Sequence, residues 1–160
     1  MKIRVGQGID VHAFSAGDHV MLGGVRITFD KALAAHSDGD VALHALCDAM
    51  LGAASLGDIG RHFPPSEDRW KDADSRDLLR RVDLLLKHDG WAVLNADITL
   101  VSGSTPMSAP FVDQMKANIG ADIGVDPADV SIKATTTEKL GFCGRGEGIS
   151  AFAIVLIKGW

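Results

Sequence analysis

Ala151-Phe152-Ala153-Ile154-Val155-Leu156-Ile157 is an unbroken apolar run near the carboxyl end of the chain. It is far shorter than the roughly 18 apolar residues of a membrane-spanning helix. Its length and β-branched content suit a strand covered on both faces. A strand with so little polar surface needs a sheet around it, and the flanking sequence supplies the candidates. Val130, Ile132 and Ala134 alternate with polar neighbours, as do Ala96, Ile98 and Leu100, and Ile3 and Val5 do the same before Gly6-Gln7-Gly8 turns the chain into a loop from Ile9 to Asp18. Val20 to Leu22 and Val25 to Ile27 flank Gly23-Gly24 as a short hairpin or bulged pair.

Between these strands the apolar spacing is helical. Asp40 caps a first helix carrying Val41, Leu43, Ala45, Leu46, Ala49 and Met50 as far as Gly52. Ser75 caps a second, whose Leu78, Leu79, Val82, Leu85 and Leu86 form one stripe opposite a solvated polar face, with Gly90 at its end. Phe111, Met115 and Ile119 mark a third. Residues 53–74, rich in charge and holding Gly57, Gly60, Pro64 and Pro65, read as a long loop, and long loops in small domains are often functional. The order predicts an α+β fold, a mixed β-sheet with helices packed on one face, as a single domain over residues 1–160. If the other face is apolar as well, something outside the chain must cover it, and oligomerisation is the natural answer.

Composition narrows the function. Sixteen Lys and Arg against 21 Asp and Glu give a net charge of −5, without a basic block, which argues against nucleic acid and membrane surfaces as partners. No apolar stretch is long enough to span a membrane, and Met1-Lys2-Ile3-Arg4-Val5 lacks a signal-peptide core, so a cytoplasmic protein is expected. Cys47 and Cys143 are too few for a disulfide scaffold and not spaced as metal ligands; both read as reduced thiols.

Two stretches carry chemistry. In Asp10-Val11-His12, an extended backbone would point both side chains the same way, and His44, on the first helix, would complete a catalytic zinc set of three ligands with a fourth position left open. His36 would be the spare imidazole. Spacing alone more often means a common tripeptide with surface histidines, with Asp38 and Asp40 as turn and cap residues. The second stretch runs from Lys133-Ala134-Thr135-Thr136-Thr137-Glu138 to Gly144-Arg145-Gly146-Glu147-Gly148. Its hydroxyls, glycines and arginine are suited to phosphate oxygens and its Glu138 to magnesium, although a polar connection between strands would look similar. Neither a Walker loop nor a dinucleotide fingerprint is present. Leu56-Gly57-Asp58-Ile59-Gly60-Arg61-His62-Phe63-Pro64 could bring Asp58 and two glycines beside a ligand, or simply form a turn.

Taken together, Gly8 to His12, His36 to His44, Leu56 to Pro64, Ala73-Asp74-Ser75-Arg76 and Lys133 to Gly148 resemble, in order and along essentially the whole chain, the 2-C-methyl-D-erythritol 2,4-cyclodiphosphate synthase family. The length resembles its single-function members, not the form fused to a cytidylyltransferase domain. The resemblance implies a homotrimer whose sheets face the threefold axis, with active sites between subunits. It implies cyclisation of 4-diphosphocytidyl-2-C-methyl-D-erythritol 2-phosphate, the 2-phosphate attacking the β-phosphorus with release of CMP, on the non-mevalonate route to isoprenoid precursors. Such a reaction needs positioning and charge stabilisation and no protein nucleophile.

Carried over by motif, Asp10, His12 and His44 would hold one zinc per subunit, and Glu138 a magnesium or manganese on the diphosphate. His36 and Thr136 would steady the transition state. Ser37, Asp58 and Gly60 would hold the erythritol phosphate, Thr135 and Thr137 would meet the diphosphate and cytidine, and Ile59, Phe63, Ser102 and Met107 would also contact the substrate. Phe142 and Arg145, with Glu147 nearby, resemble residues lining an axial cavity where an isoprenoid diphosphate can sit.

Two positions depart from the family pattern. Ile9 stands where an aromatic residue usually precedes Asp-x-His, and Ser102-Gly103-Ser104-Thr105-Pro106-Met107 lacks the usual lysine of the cytidine loop. The competing functions are a metal-dependent phosphohydrolase, which would release inorganic phosphate, and a non-catalytic trimeric binder of isoprenoid phosphates.

Overall fold

The computed structural model describes residues 1–103 and 109–160. In chain order it contains β1 (Lys2–Ser15), β2 (His19–Leu22), β3 (Val25–Thr28), β4 (Ala32–Leu33), α1 (Val41–Ala54) and α2 (Ile59–His62). After these come α3 (Ser75–His88), β5 (Trp91–Val101), α4 (Ala109–Ile123), β6 (Val130–Thr135), α5 (Gly141–Gly144) and β7 (Gly148–Gly159), with 3₁₀ turns at Asp68–Trp70 and Pro127–Asp129. Five strands form one mixed sheet in the order β4-β1-β7-β5-β6. Only β5 and β6 run parallel, joined through α4. No helix among the described residues is long and apolar enough to cross a membrane.

The sequence expectation for β1 was too short. The strand continues through Gly6-Gln7-Gly8 and pairs with β7 from Lys2 opposite Gly159 to Ala13 opposite Gly148. The two glycines do not break the strand; they let a helix approach it. A side chain begun at Gly6 or Gly8 would sit 2.0 Å from the carbonyl oxygen of Ala49 or Ala45, respectively, so α1 lies against bare backbone. Ala45 and Ala49 on α1 complete a contact of small residues, buried from solvent.

At the start of α1, Asp40 does more than cap. Its carboxylate accepts the Leu43 amide at 3.1 Å, and also the amides of Gly23 at 3.0 Å and Gly24 at 2.7 Å. Those glycines form the two-residue turn between Leu22 and Val25, both with positive φ (58° and 73°), as a type I′ hairpin requires. One buried carboxylate thus joins the β2–β3 hairpin to the helix. Burial pushes Asp40 up to about 6 and the Asp38 charge adds to this, while the three amides favour its charged form.

The second helix is capped by Asp74, one residue before the expected Ser75. Its polar face is not simply solvated. Arg76 grips the buried Asp122 of α4 through two bonds of 2.7 and 3.0 Å, and Arg80 adds a third at 3.0 Å. The long loop of residues 53–74 contains α2 and a 3₁₀ turn, and Phe63 stacks edge-on against Trp70 at 4.9 Å.

The apolar run in β7 is covered on one face within the chain. Ile149, Ala151, Ala153, Val155 and Ile157 face the helices and are buried, whereas Phe152 (38% exposed) and Ile154 (47%) lie on the opposite, open face. Beside them β1 presents Ile3, Val5, Ile9 and Val11, with Val5 68% exposed. Toward β5 and β6 the open face turns polar, where Lys133 meets Asp97 at 2.6 Å.

Candidate metal centre

Asp10 and His12 alternate on β1 and face α1, which supplies His44. Asp10 Oδ2, His12 Nε2 and His44 Nδ1 form a triangle with sides of 2.9, 3.1 and 3.1 Å. The remaining ring nitrogens fix what this triangle is. His12 Nδ1 lies 3.1 Å from the carbonyl oxygen of Ala34, which can only accept, so the proton is on Nδ1 and the Nε2 lone pair points inward. His44 Nε2 lies 2.9 Å from Ser75 Oγ, and Ser75 gives its own proton to Asp38 in a short bond. The serine oxygen therefore accepts from Nε2–H, and the Nδ1 lone pair of His44 also points inward. Ser37 Oγ approaches the same nitrogen at 3.1 Å.

Three electron-pair donors turned on one another at this distance need a cation among them. Two imidazole nitrogens and a carboxylate, each imidazole oriented by an acceptor behind it, fit a metal ion with a further position left open. Among the described residues, these three are the one cluster of His, Cys, Asp and Glu able to hold a metal ion. The protonation balance reflects the same geometry. Without a metal, protons on His12 Nε2 and His44 Nδ1 take its place: burial works against the charged form of Asp10, but their hydrogen bonds and charge then outweigh it and hold the carboxyl at about 2. Burial likewise lowers His12, and Asp10 overrides this to raise it above its ordinary value.

Beside the triad lies a cavity of about 250 Å³ lined by His12, His36, Ser37, His44, Ile59, Gly60, Phe63 and Trp70, among others. Five residues expected from sequence to meet the substrate or the transition state, His36, Ser37, Ile59, Gly60 and Phe63, therefore share one cavity with His12 and His44. Asp58 is exposed and caps α2 by accepting the Arg61 amide at 2.9 Å. Ile59 donates its amide to Asp48 of α1 at 2.7 Å. Burial raises the Asp48 carboxyl, and that amide draws it back.

The phosphate-type stretch lies elsewhere. Asp10 pairs with Ala151, Ala151 with Leu100 and Leu100 with Ala134, so the metal triad and the end of β6 share a row of the sheet three strand spacings apart. That is about 14 Å. Thr135, Thr136, Thr137 and Glu138 are not buried, and Glu138 and Lys139 both adopt positive φ (54° and 66°). Thr136 Oγ1 lies 3.4 Å from both the Glu138 carboxylate and its amide. Ser102 is buried, its amide bonded to the Thr135 carbonyl at 3.2 Å. Met107 lies outside the described residues. Phe142 is exposed, and Arg145 makes a bidentate pair with Glu147 at 3.1 and 3.2 Å. Cys143 is buried against Ser150, and burial pushes the Cys47 thiol well up, so neither thiol is placed as a nucleophile.

Sequence reasoning missed Ser75 and Asp38 behind His44, Trp70 in the cavity wall, and Asp48. Ser75 was read as a helix cap and Asp38 as a turn residue, which concealed their contacts across the chain. Asp48 carried a usable signal: a charge one helical turn beyond His44 on an otherwise apolar helix.

The YgbB family model matches residues 3–158. A 2-C-methyl-D-erythritol 2,4-cyclodiphosphate synthase from Thioalkalivibrio sulfidiphilus is 59% identical over 157 residues, 98% of each chain. Among solved structures, the synthase from Plasmodium vivax is similar with TM-score 0.83 and 31% identity, over 99% of both chains. Bifunctional IspDF from Campylobacter jejuni gives TM-score 0.94 at 40% identity; the match covers 99% of this chain, which spans 43% of that longer protein.

Proposed function

Because the chain belongs to the YgbB family and is an enzyme that cyclises 4-diphosphocytidyl-2-C-methyl-D-erythritol 2-phosphate to the 2,4-cyclodiphosphate with release of CMP, we propose that Asp10, His12 and His44 hold its zinc and that the cavity beside them receives the erythritol phosphate. The carrying observation is the inward-facing donor triangle at the mouth of that cavity. Asp10, His12 and His44 would hold zinc and Glu138 magnesium or manganese, which would supply Lewis-acid charge at the phosphate oxygens. Ser37, Asp58, Ile59, Gly60 and Phe63 orient the erythritol phosphate, and His36 and Thr136 donate to the oxygens that gain charge as the ring closes. Thr135, Thr137, Ser102 and Met107 serve the diphosphate and cytidine. The solved synthase from Plasmodium falciparum described as a CDP complex supports a nucleotide-bearing substrate.

One cyclodiphosphate synthase domain fills residues 1–160 and acts in the cytoplasm as a homotrimer with its sheets about a threefold axis. Two observations support this assembly. The open apolar face carries Val5, Ile9, Phe152 and Ile154, and the two halves of the substrate site lie about 14 Å apart in one chain. Sites closing between subunits bring the halves together differently. Phe142 and Arg145 then line the axial cavity, suited to an isoprenoid diphosphate. Replacing Ile154 by aspartate is expected to convert a species of three times 16.9 kDa into the single chain, read by sedimentation velocity. An unchanged trimer would place the interface elsewhere.

Phosphorus NMR of the purified protein with substrate and magnesium tests the reaction. A cyclic diphosphate together with CMP, both lost on chelation and restored by zinc, is expected. Inorganic phosphate would instead identify a hydrolase.

A further inference from the structure

Helix α1 carries His44 and, four residues later, Asp48, the one residue not buried in the stretch from Val41 to Leu51. Residues four apart on a helix lie on the same face with Cβ atoms about 5–6 Å apart. His44 turns toward the metal triad. Asp48 Oδ1 accepts the amide of Ile59, the first residue of α2, at 2.7 Å. Ile59 and the following Gly60 line the same cavity as His44. We propose that Asp48 is a positioning residue that sets the distance between the metal centre and the wall of the erythritol-phosphate cavity, by fastening α2 one helical turn from a metal ligand.

The other ties on this segment would not set that distance. Asp58 caps α2 from within, bonding to Arg61, and His62 bonds to Leu56, so both contacts move with the segment. The Leu56 amide reaches the end of α1 at Leu51, three residues before α2 begins. Leu56, Ile59 and Phe63 pack on the core through apolar contacts, which tolerate sliding in a way that a hydrogen bond does not. Among the described residues, Asp48 is the one side chain of α1 bonded into α2.

The proposal rests on the reading that this cavity receives the erythritol phosphate, and its test separates the two. Asp48→Ala and Asp48→Asn are compared with the wild type by steady-state CMP release, metal content and binding of CDP, a probe of the nucleotide half. In Asp48→Ala, KM is expected to rise roughly tenfold, as when an amide loses its acceptor, with kcat nearly retained. Metal content and CDP affinity stay at wild-type values. Asp48→Asn, whose amide oxygen still accepts from Ile59, recovers most of the KM. A wild-type KM in Asp48→Ala overturns the proposal, as does loss of metal in step with loss of activity. Equal damage in Asp48→Asn overturns it too, because charge and not the amide acceptor would then be the operative property. A wild-type protein that binds CDP and metal yet releases no CMP would remove the cyclase reading itself, and the proposal with it.

Discussion

Exchanging Asp10 for asparagine is expected to strip the metal from the protein and stop cyclisation while leaving the fold in place. The substitution is isosteric and lies at a position that is only partly buried, so it opens no cavity. What it removes is the single negative charge of a donor set otherwise made of two neutral imidazoles. The asparagine offers either a weaker carbonyl oxygen or an NH₂ group that repels a cation. Losing the charge stabilisation a metal gives to phosphate oxygens should cost about 4 kcal/mol or more, or on the order of a thousandfold in kcat/KM. Metal content after dialysis should fall below roughly a tenth of the wild-type value, and the melting temperature should match that of metal-free wild type. His44→Ala should be equally inactive but also less stable, since it empties a buried site and leaves Ser75 and Ser37 without their ring partner. Cyclisation at wild-type rates by Asp10→Asn, with metal bound, would end the assignment of the triad as the catalytic centre.

Much of this centre was legible in the sequence, for a physical reason. Two side chains two residues apart on an extended segment face one way, so Asp10 and His12 were legible as a pair on the condition, met by β1, that the segment is extended. His44, at helical spacing inside an apolar pattern, was a polar group needing a partner. Spacing could not say that β1 and α1 meet, because that contact depends on Gly6 and Gly8, and glycines in a strand look like the start of a loop. The extension of β1 to Ser15 was missed for this reason. The apolar run at 151–157 announced a central strand, but one face of β7 meets helices and the other is left open in the single chain, a distinction that an all-apolar pattern cannot carry. The ties of Ser75 to His44 and Asp38 were beyond reach because each residue was already accounted for locally, as a cap or a turn.

Gly8 is where fold and chemistry meet, and Gly8→Ala is expected to damage both. The added methyl would lie 2.0 Å from the Ala45 carbonyl oxygen and 2.6 Å from the Ala49 nitrogen, against ordinary contacts of about 3.5 Å, and both are backbone atoms that no rotamer change can move aside. Relief requires α1 to lift from β1 by an ångström or more. Overpacking of this kind costs about 3 kcal/mol, or roughly 10 °C in melting temperature for a chain of this size. The same movement carries His44, adjacent to Ala45, away from Asp10, two residues along β1 from Gly8, and a metal site tolerates only about 0.5 Å of such displacement. Zinc affinity should therefore fall by roughly tenfold or more, as when the groups that orient metal ligands are removed. Gly52→Ala supplies the opposite case on the same helix. Its methyl would meet only the Gln7 carbonyl oxygen at 3.9 Å, an ordinary contact, and alanine is about 1 kcal/mol better than glycine inside a helix, so this variant should melt higher and bind zinc normally. Calorimetry and zinc titration of the two variants test whether the bare backbone of β1 sets the metal geometry; equal melting temperatures and equal zinc affinities would show that the helix adjusts freely, and that Gly8 positions nothing.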